Sequence, residues 1–105
     1  MTERIEYPAI FRWSPFDKAY LVELVDFGTH TFGADMADAY DMAQDLLGNC
    51  ISNFRADNKP LPVPSANPPR QLKKTETFKN VALDYDKWLA ESPVLDPSAL
   101  DAELV

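Results

Sequence analysis

The chain of 105 residues is 46% hydrophobic and 26% charged, which is typical of one globular domain, and it lacks the run of about 20 apolar residues that a membrane-spanning helix needs. Ten Lys and Arg residues against 17 Asp and Glu residues give a formal net charge of −7, which argues against direct binding to nucleic acids or lipid headgroups and favours a basic partner. A single cysteine, Cys50, and a single histidine, His30, exclude an intramolecular disulfide and a zinc site of the Cys/His type. Because the N-terminus is charged where a signal peptide would be apolar, we expect a cytoplasmic protein.

The first 34 residues predict three antiparallel strands that follow one another in a sheet. Residues 7–14 and 20–25 alternate in side-chain type with a period of two, and Pro15 lies in the turn between them. Residues 29–34 are rich in threonine and aromatic side chains and form the third strand. One face of the first two strands is wholly apolar and is expected to serve the core under a helix: Tyr7, Ala9, Phe11, Trp13, Tyr20, Val22 and Leu24. The other face mixes apolar and charged side chains and is available to a partner.

A long helix is predicted next. Asp35 is placed to accept hydrogen bonds from the free backbone N–H groups at the helix start, and Asp38 adds a second acid to the first turn. Apolar side chains then recur at spacings of three and four residues, in a stripe that must cover one face of the sheet: Met36, Ala39, Tyr40, Ala43, Leu46, Leu47, Cys50, Ile51 and Phe54. The opposite side of the helix is mostly acid and amide: Asp38, Asp41, Gln44, Asp45, Asn49, Ser52 and Arg55.

The remaining residues predict a connector, a strand, a short helix and a tail. Residues 58–74 are rich in proline, which prevents helix formation and resists strand pairing, so we expect a stiff extended connector. A fourth strand is predicted over residues 75–83 and a short helix over residues 85–91. Residues 91–105 carry four acids, two prolines and no base, which is typical of a disordered tail. The predicted organisation is one α+β domain over residues 1–90, with the connector inside it, followed by the tail over residues 91–105.

The residues that could carry catalysis are poorly placed for it. The first strand has no acid in its interior, and Asp17, Asp26 and Asp35 fall in turns or at the helix start, which does not suit a two-metal site. His30 has neither an orienting partner nor a nucleophile in a recognisable pattern, and Cys50 lies on the apolar stripe of the helix. We therefore predict no catalytic residue, no cofactor and no metal, and a protein that is not an enzyme.

The order of motifs resembles the HicB family, the antitoxin partners of small toxins that cut messenger RNA. The resemblance covers residues 5 to about 90 and lies in "YPAIF", "AYLVELVDFG", "TFGADMADA", the long helix and "KPLPVPS". The matching positions are Tyr7, Pro8, Ala9, Asp26, Gly28, Thr31, Gly33, Ala39, Leu61, Pro62, Val63 and Pro64.

The resemblance implies a partial RNase H-like fold of the order β-β-β-α-β, without the catalytic acids of a true RNase H. It also implies a partner, which would be a small basic HicA-like toxin with a catalytic histidine whose RNA-facing surface the antitoxin covers. Many HicB proteins continue into a ribbon-helix-helix or helix-turn-helix module that binds DNA. Since no such segment follows here, direct DNA binding is not expected.

The leading hypothesis is a non-enzymatic antitoxin of a HicAB-type system that inhibits its toxin by occlusion, and a homodimer is expected. The predicted contact residues lie on the mixed face of the hairpin and on the acidic side of the helix: Ile10, Arg12, Leu21, Glu23, Asp38, Asp41 and Asp45. The alternative is an orphan HicB-like interaction domain or homodimer without a toxin. A third reading, an RNase H-like hydrolase, would need Asp17, Glu23 or Asp26 to bind magnesium.

Overall fold

The computed structural model describes residues 3–91, which form one antiparallel sheet and two helices. The elements in chain order are β1 (Arg4–Ser14), β2 (Ala19–Leu24), β3 (Thr29–Gly33), α1 (Met36–Ala56), β4 (Glu76–Asp84) and α2 (Tyr85–Glu91). The strand order in the sheet is β3-β2-β1-β4, and every neighbouring pair is antiparallel. The predicted α+β class, with a three-stranded meander, a long helix, a fourth strand and a short helix, is confirmed.

The core lies between the sheet and α1. The strand register places Phe11 opposite Val22 and Ala9 opposite Leu24, so their side chains share the face that α1 covers. The helix contributes every third or fourth residue to this layer, and its fully buried members are Ala39, Ala43, Leu47 and Ile51. The apolar stripe predicted from the sequence is therefore the stripe that faces the sheet.

The same alternation puts Trp13 and Tyr20 at the end of the core. Trp13 remains 36% exposed, and its ring packs against Tyr20 with centroids 5.1 Å apart. The helix begins at Met36, only three residues after the end of β3, so little helix extends over this end of the sheet. Trp13 is thus only partly buried and lies at the border of the face that was predicted to belong wholly to the core.

A rigid turn joins β1 to β2. The Ser14 hydroxyl donates to the Asp17 carboxylate at 2.8 Å and accepts from the Asp17 backbone N–H at 3.2 Å. Lys18 has a φ of 52°, the left-handed conformation that closes such a turn. The turn leaves Phe16 at its tip, with 97% of its surface exposed.

Two reciprocal caps start α1. The Asp35 carboxylate accepts from the Asp38 backbone N–H at 2.8 Å, as predicted, and the Asp38 carboxylate accepts from the Ala34 backbone N–H at 2.8 Å. Gly33 is required here because a Cβ atom at this position would overlap the backbone of Ala39. The strand can therefore pass directly into the helix.

The connector over residues 58–74 contains no helix or strand but is fixed to the rest of the domain at three points. The Tyr7 hydroxyl donates to the Pro62 carbonyl, and Ser65 donates to Asp26 through both its hydroxyl and its backbone N–H. Farther along, Arg70 forms ion pairs with acids of two strands. The predicted absence of regular structure is confirmed, and the connector also fastens the loop after β2 to the rest of the fold.

The second helix packs against the side of α1 that is rich in acid and amide side chains. Trp88 lies directly over Gly48, where a Cβ atom would overlap the indole ring. Its indole N–H donates to Asp45 at 2.9 Å, and the Tyr85 and Ser52 hydroxyls are 2.8 Å apart. Asp45 and Ser52 on the polar side of α1 thus bind α2, whereas Asp38, Asp41 and Asn49 stay exposed.

The predicted tail falls largely outside the described residues. Glu91 is the last residue of α2, and residues 92–105 are not among those the structure describes. Within residues 3–91, neither helix is long and apolar enough to cross a membrane.

Candidate protein-interaction surfaces

The four hairpin residues proposed as contacts share one face of the sheet. Ile10 lies opposite Glu23, and Arg12 lies opposite Leu21, on the side away from α1. We call this side the open face, and it comprises Ile10, Arg12, Leu21, Glu23, His30, Phe32, Glu76 and Phe78. Its centre is a shallow hollow of about 180 Å³.

Arg70 of the connector pairs with two acids of the open face. Its guanidinium donates to both carboxylate oxygens of Glu76 at 2.8 and 2.7 Å and lies 3.7 Å from Glu23. Because Glu23 is on β2 and Glu76 is on β4, Arg70 spans the strand between them. Ile10 on that strand is only 2% exposed, so its side chain is part of the floor of the open face.

Glu76 is the most strongly perturbed acid of this surface. The paired guanidinium of Arg70, helped by the backbone N–H of Lys73 at 2.8 Å, lowers the pKa of Glu76 to about 2. The side chain of Glu76 is 3% exposed, so the contacts that satisfy it come from the protein. This acid and Arg70 hold the connector against β4.

His30 belongs to the same surface but lacks a catalytic setting among the described residues. It is exposed, on the edge strand β3, and lies opposite Glu23 in the ladder. Residues 3–91 contain no group of three or more His, Cys, Asp and Glu side chains that could hold a metal ion.

Burial raises the pKa of the Cys50 thiol, which leaves it in the protonated, unreactive form at neutral pH.

The three helix acids do not share the open face, because α1 packs on the opposite side of the sheet. The Asp38 carboxylate caps Ala34, so it serves the helix start as well as the surface charge. Asp41 and Asp45 instead line a cleft of about 390 Å³ between α1, β4 and α2. The predicted contacts therefore form two separate surfaces.

We call the cleft the acidic groove. Four carboxylates line it, with one basic side chain and one indole: Asp41, Asp45, Asp84, Glu91, Lys87 and Trp88. The bond from the Trp88 indole N–H fixes the Asp45 carboxylate at the groove wall. A concentration of negative charge next to an aromatic ring can receive an arginine or lysine side chain.

The sequence did not predict the part of the groove that β4 and α2 form. Asp84, Glu91 and Trp88 come from β4 and α2, and nothing in their spacing places them beside α1. The available signal was Gly48, a glycine inside a helix, which is expected where another group approaches closely. Trp88 is that group.

The fold resembles that of a solved structure described as a toxin–antitoxin complex from Streptococcus pneumoniae. The TM-score is 0.69 and the sequence identity is 20%, and the match covers 96% of this chain and 86% of the other. At this identity the likeness establishes the fold alone. No family model matches the sequence, and no curated protein matches it significantly.

Proposed function

We propose that this chain is the antitoxin of a HicAB-type toxin–antitoxin system, which binds a small basic mRNA-cleaving toxin in the cytoplasm and blocks it by occlusion. The observation that carries the proposal is the acidic groove, on a fold similar to that of a chain in a toxin–antitoxin complex. The motif order that resembles the HicB family supports the same assignment.

The groove suits this role because a toxin that cuts RNA presents basic side chains to phosphate groups. Four carboxylates against one ammonium group give the groove a local charge that competes with phosphate for those side chains. The Trp88 indole packs on Gly48 and Tyr85 and holds the Asp45 carboxylate in place at the groove wall. An antitoxin seated in this way covers the RNA-binding surface and needs no chemistry of its own.

The predicted contacts divide between direct and supporting roles. Asp41 and Asp45 are exposed and line the groove, so we assign them to the toxin interface. Asp38 lies one turn before Asp41 and adds to the negative field, which steers a basic partner towards the helix. The other four predicted contact residues lie on the opposite face of the sheet, so we do not assign them to the toxin interface: Ile10, Arg12, Leu21 and Glu23.

The test is to express the chain with the small basic protein encoded by the adjacent reading frame. We expect the two to co-purify, and we expect calorimetric affinity to fall as salt rises. The variant D41N/D45N keeps the Trp88 hydrogen bond, because the Asn oxygen still accepts it, and should raise Kd at least tenfold. The control E6Q/D57N removes the same charge outside the groove and should change Kd less than threefold.

Two results would overturn the assignment. If D41N/D45N and the control weaken binding equally, net charge and not the groove drives association. If no basic product of a neighbouring frame binds or is toxic alone, the chain is an orphan interaction domain, which is the alternative reading.

A further inference from the structure

The helix α2 forms one wall of the acidic groove. Three of the side chains that line the groove belong to it: Lys87, Trp88 and Glu91. The facing wall carries Asp41 and Asp45 of α1. With seven residues, α2 is too short to be stable as an isolated helix, so its position depends on contacts with the rest of the fold. The groove therefore keeps its shape only while α2 stays against α1.

The first residue of α2, Tyr85, is firmly attached. Its backbone N–H donates to the Glu3 carbonyl at 2.9 Å, and its hydroxyl lies 2.8 Å from that of Ser52. The guanidinium of Arg55 lies over the Tyr85 ring, 4.7 Å from the ring centroid. Among residues 85–91, Tyr85 alone is buried. These contacts fix the start of α2 to α1 and to the residue before β1.

The rest of α2 is held more loosely, through Trp88. The indole ring is half-buried on Gly48, and its N–H donates to Asp45 at 2.9 Å. The residues that follow face solvent, since Leu89 is 42% exposed and Glu91 is exposed. Segments that bury little apolar surface open locally at a free energy below that of global unfolding. The helix thus combines a fixed start at Tyr85 with a weaker attachment at Trp88.

The charge of the groove favours release of α2 when no basic ligand is bound. Glu91 of α2 shares the groove with three acids of α1 and β4, Asp41, Asp45 and Asp84, and like charges repel. A basic ligand between the two walls cancels this repulsion, so it binds the closed form more tightly than the open form. A ligand that prefers one conformation shifts the population towards that conformation.

We propose that α2 is a movable wall of the acidic groove, which moves away from α1 about Tyr85 and is held closed by a basic ligand. Such coupling is reciprocal, so release of Trp88 from Gly48 weakens binding of the ligand. Its role in regulation rests on the proposed function: basic side chains of the toxin close α2, and any event that loosens α2 loosens the toxin.

The experiment is amide hydrogen exchange of the full chain, followed by NMR, with and without hexa-arginine as a basic probe. In the free chain, the amides of residues 89–91 should exchange at least about tenfold faster than those of residues 43–51 in α1, because α2 opens without global unfolding. Saturating hexa-arginine should slow exchange at residues 89–91 at least about threefold. The variant D41N/D45N should lose this slowing, because the charges that attract the probe to α1 are gone.

Gly48→Ala tests the coupling from the other direction. It displaces Trp88 without changing any charge or any side chain that lines the groove. It should speed exchange at residues 89–91 and raise the Kd for hexa-arginine at least about fivefold. Asn49→Ala, at the adjacent exposed position, is the matched control and should change neither value. Unchanged exchange of the β1 amides in each variant checks that the fold is retained.

The proposal is overturned if residues 89–91 exchange as slowly as residues 43–51, because α2 then does not open by itself. It is also overturned if hexa-arginine does not bind, binds without slowing exchange in α2, or binds Gly48→Ala and wild type equally well. None of these results depends on the toxin. A failure to find a toxin would therefore refute the antitoxin assignment alone, whereas a toxin that binds wild type and Gly48→Ala with the same Kd would refute the coupling alone.

Discussion

Arg70 reaches from the connector to Glu76 at the first position of β4 and binds both of its carboxylate oxygens, at 2.7 and 2.8 Å. The same guanidinium approaches Glu23 two strands away. A residue in a segment without regular structure thus ties together β2, β4 and the connector. Its position explains why a proline-rich stretch stays on the surface of the sheet.

The Arg70–Glu76 pair predicts a loss of stability in acid. The folded pKa of Glu76, about 2, lies below its ordinary value of 4.5. The stability that this acid contributes is therefore complete above about pH 4.5 and is lost as pH falls towards 2. The thermal midpoint of the wild type should drop over that interval, and Glu76→Gln should have a lower midpoint at pH 7 and a flatter profile below pH 4.5.

The measurement is thermal unfolding followed by circular dichroism from pH 2 to pH 7. The difference between wild type and Glu76→Gln isolates this group, because Glu3, whose pKa is also lowered by Arg55, is present in both proteins. Parallel profiles would contradict the role assigned to the pair.

Gly48→Ala should destabilise the protein even though alanine is the better helix former. A methyl group at this position overlaps the Trp88 ring, so α2 must move away from α1. We expect a loss of about 1–3 kcal/mol in the free energy of unfolding by urea. Asn49→Ala, at the next and exposed position of the same helix, should be neutral or slightly stabilising. A Gly48→Ala protein as stable as the wild type would refute the close helix contact.

Tyr40→Phe should loosen the outer edge of β4. The Ala82 backbone N–H donates to the Tyr40 hydroxyl at 3.0 Å, and the Ala82 carbonyl accepts from the Gln44 side chain at 2.8 Å, so α1 caps this edge. Loss of the hydroxyl should cost about 1 kcal/mol. Hydrogen exchange of the Ala82 amide should speed up, whereas Tyr20→Phe, which removes a hydroxyl far from β4, should not affect it. Unchanged exchange at Ala82 in Tyr40→Phe would contradict the cap.

Much of the fold could be predicted from sequence because its elements have local signals. The alternation from Tyr7 to Leu24 and the apolar stripe of α1 are periodic patterns, and the cap at Asp35 marks a helix start. Residues close together in the sequence are therefore enough to predict each of these elements. The bounds of α2 match the prediction, and those of β4 differ by one residue. The expected cover of α1 over the first strands is confirmed.

The candidate surfaces were harder to predict because they depend on tertiary contacts. The acids of α1 were identified from their helical spacing, but their groove exists only because Trp88 packs on Gly48. In the same way, nothing in the sequence predicts that Arg70 pairs with both Glu76 and Glu23 across the sheet. The exposed fraction of a strand residue such as Phe32 depends on what covers the sheet, which a period of two does not reveal.

The most direct test of the proposed antitoxin function is an RNA-cleavage assay with the small basic protein encoded by the adjacent reading frame. If the proposal holds, adding the chain should suppress cleavage of a labelled mRNA in proportion to the amount added, and D41N/D45N should require at least tenfold more protein. The chain alone, with magnesium, should leave the RNA intact. The account would be contradicted if saturating chain left toxin cleavage unchanged, or if the chain itself cut RNA and lost that activity on replacement of Asp17, Glu23 or Asp26.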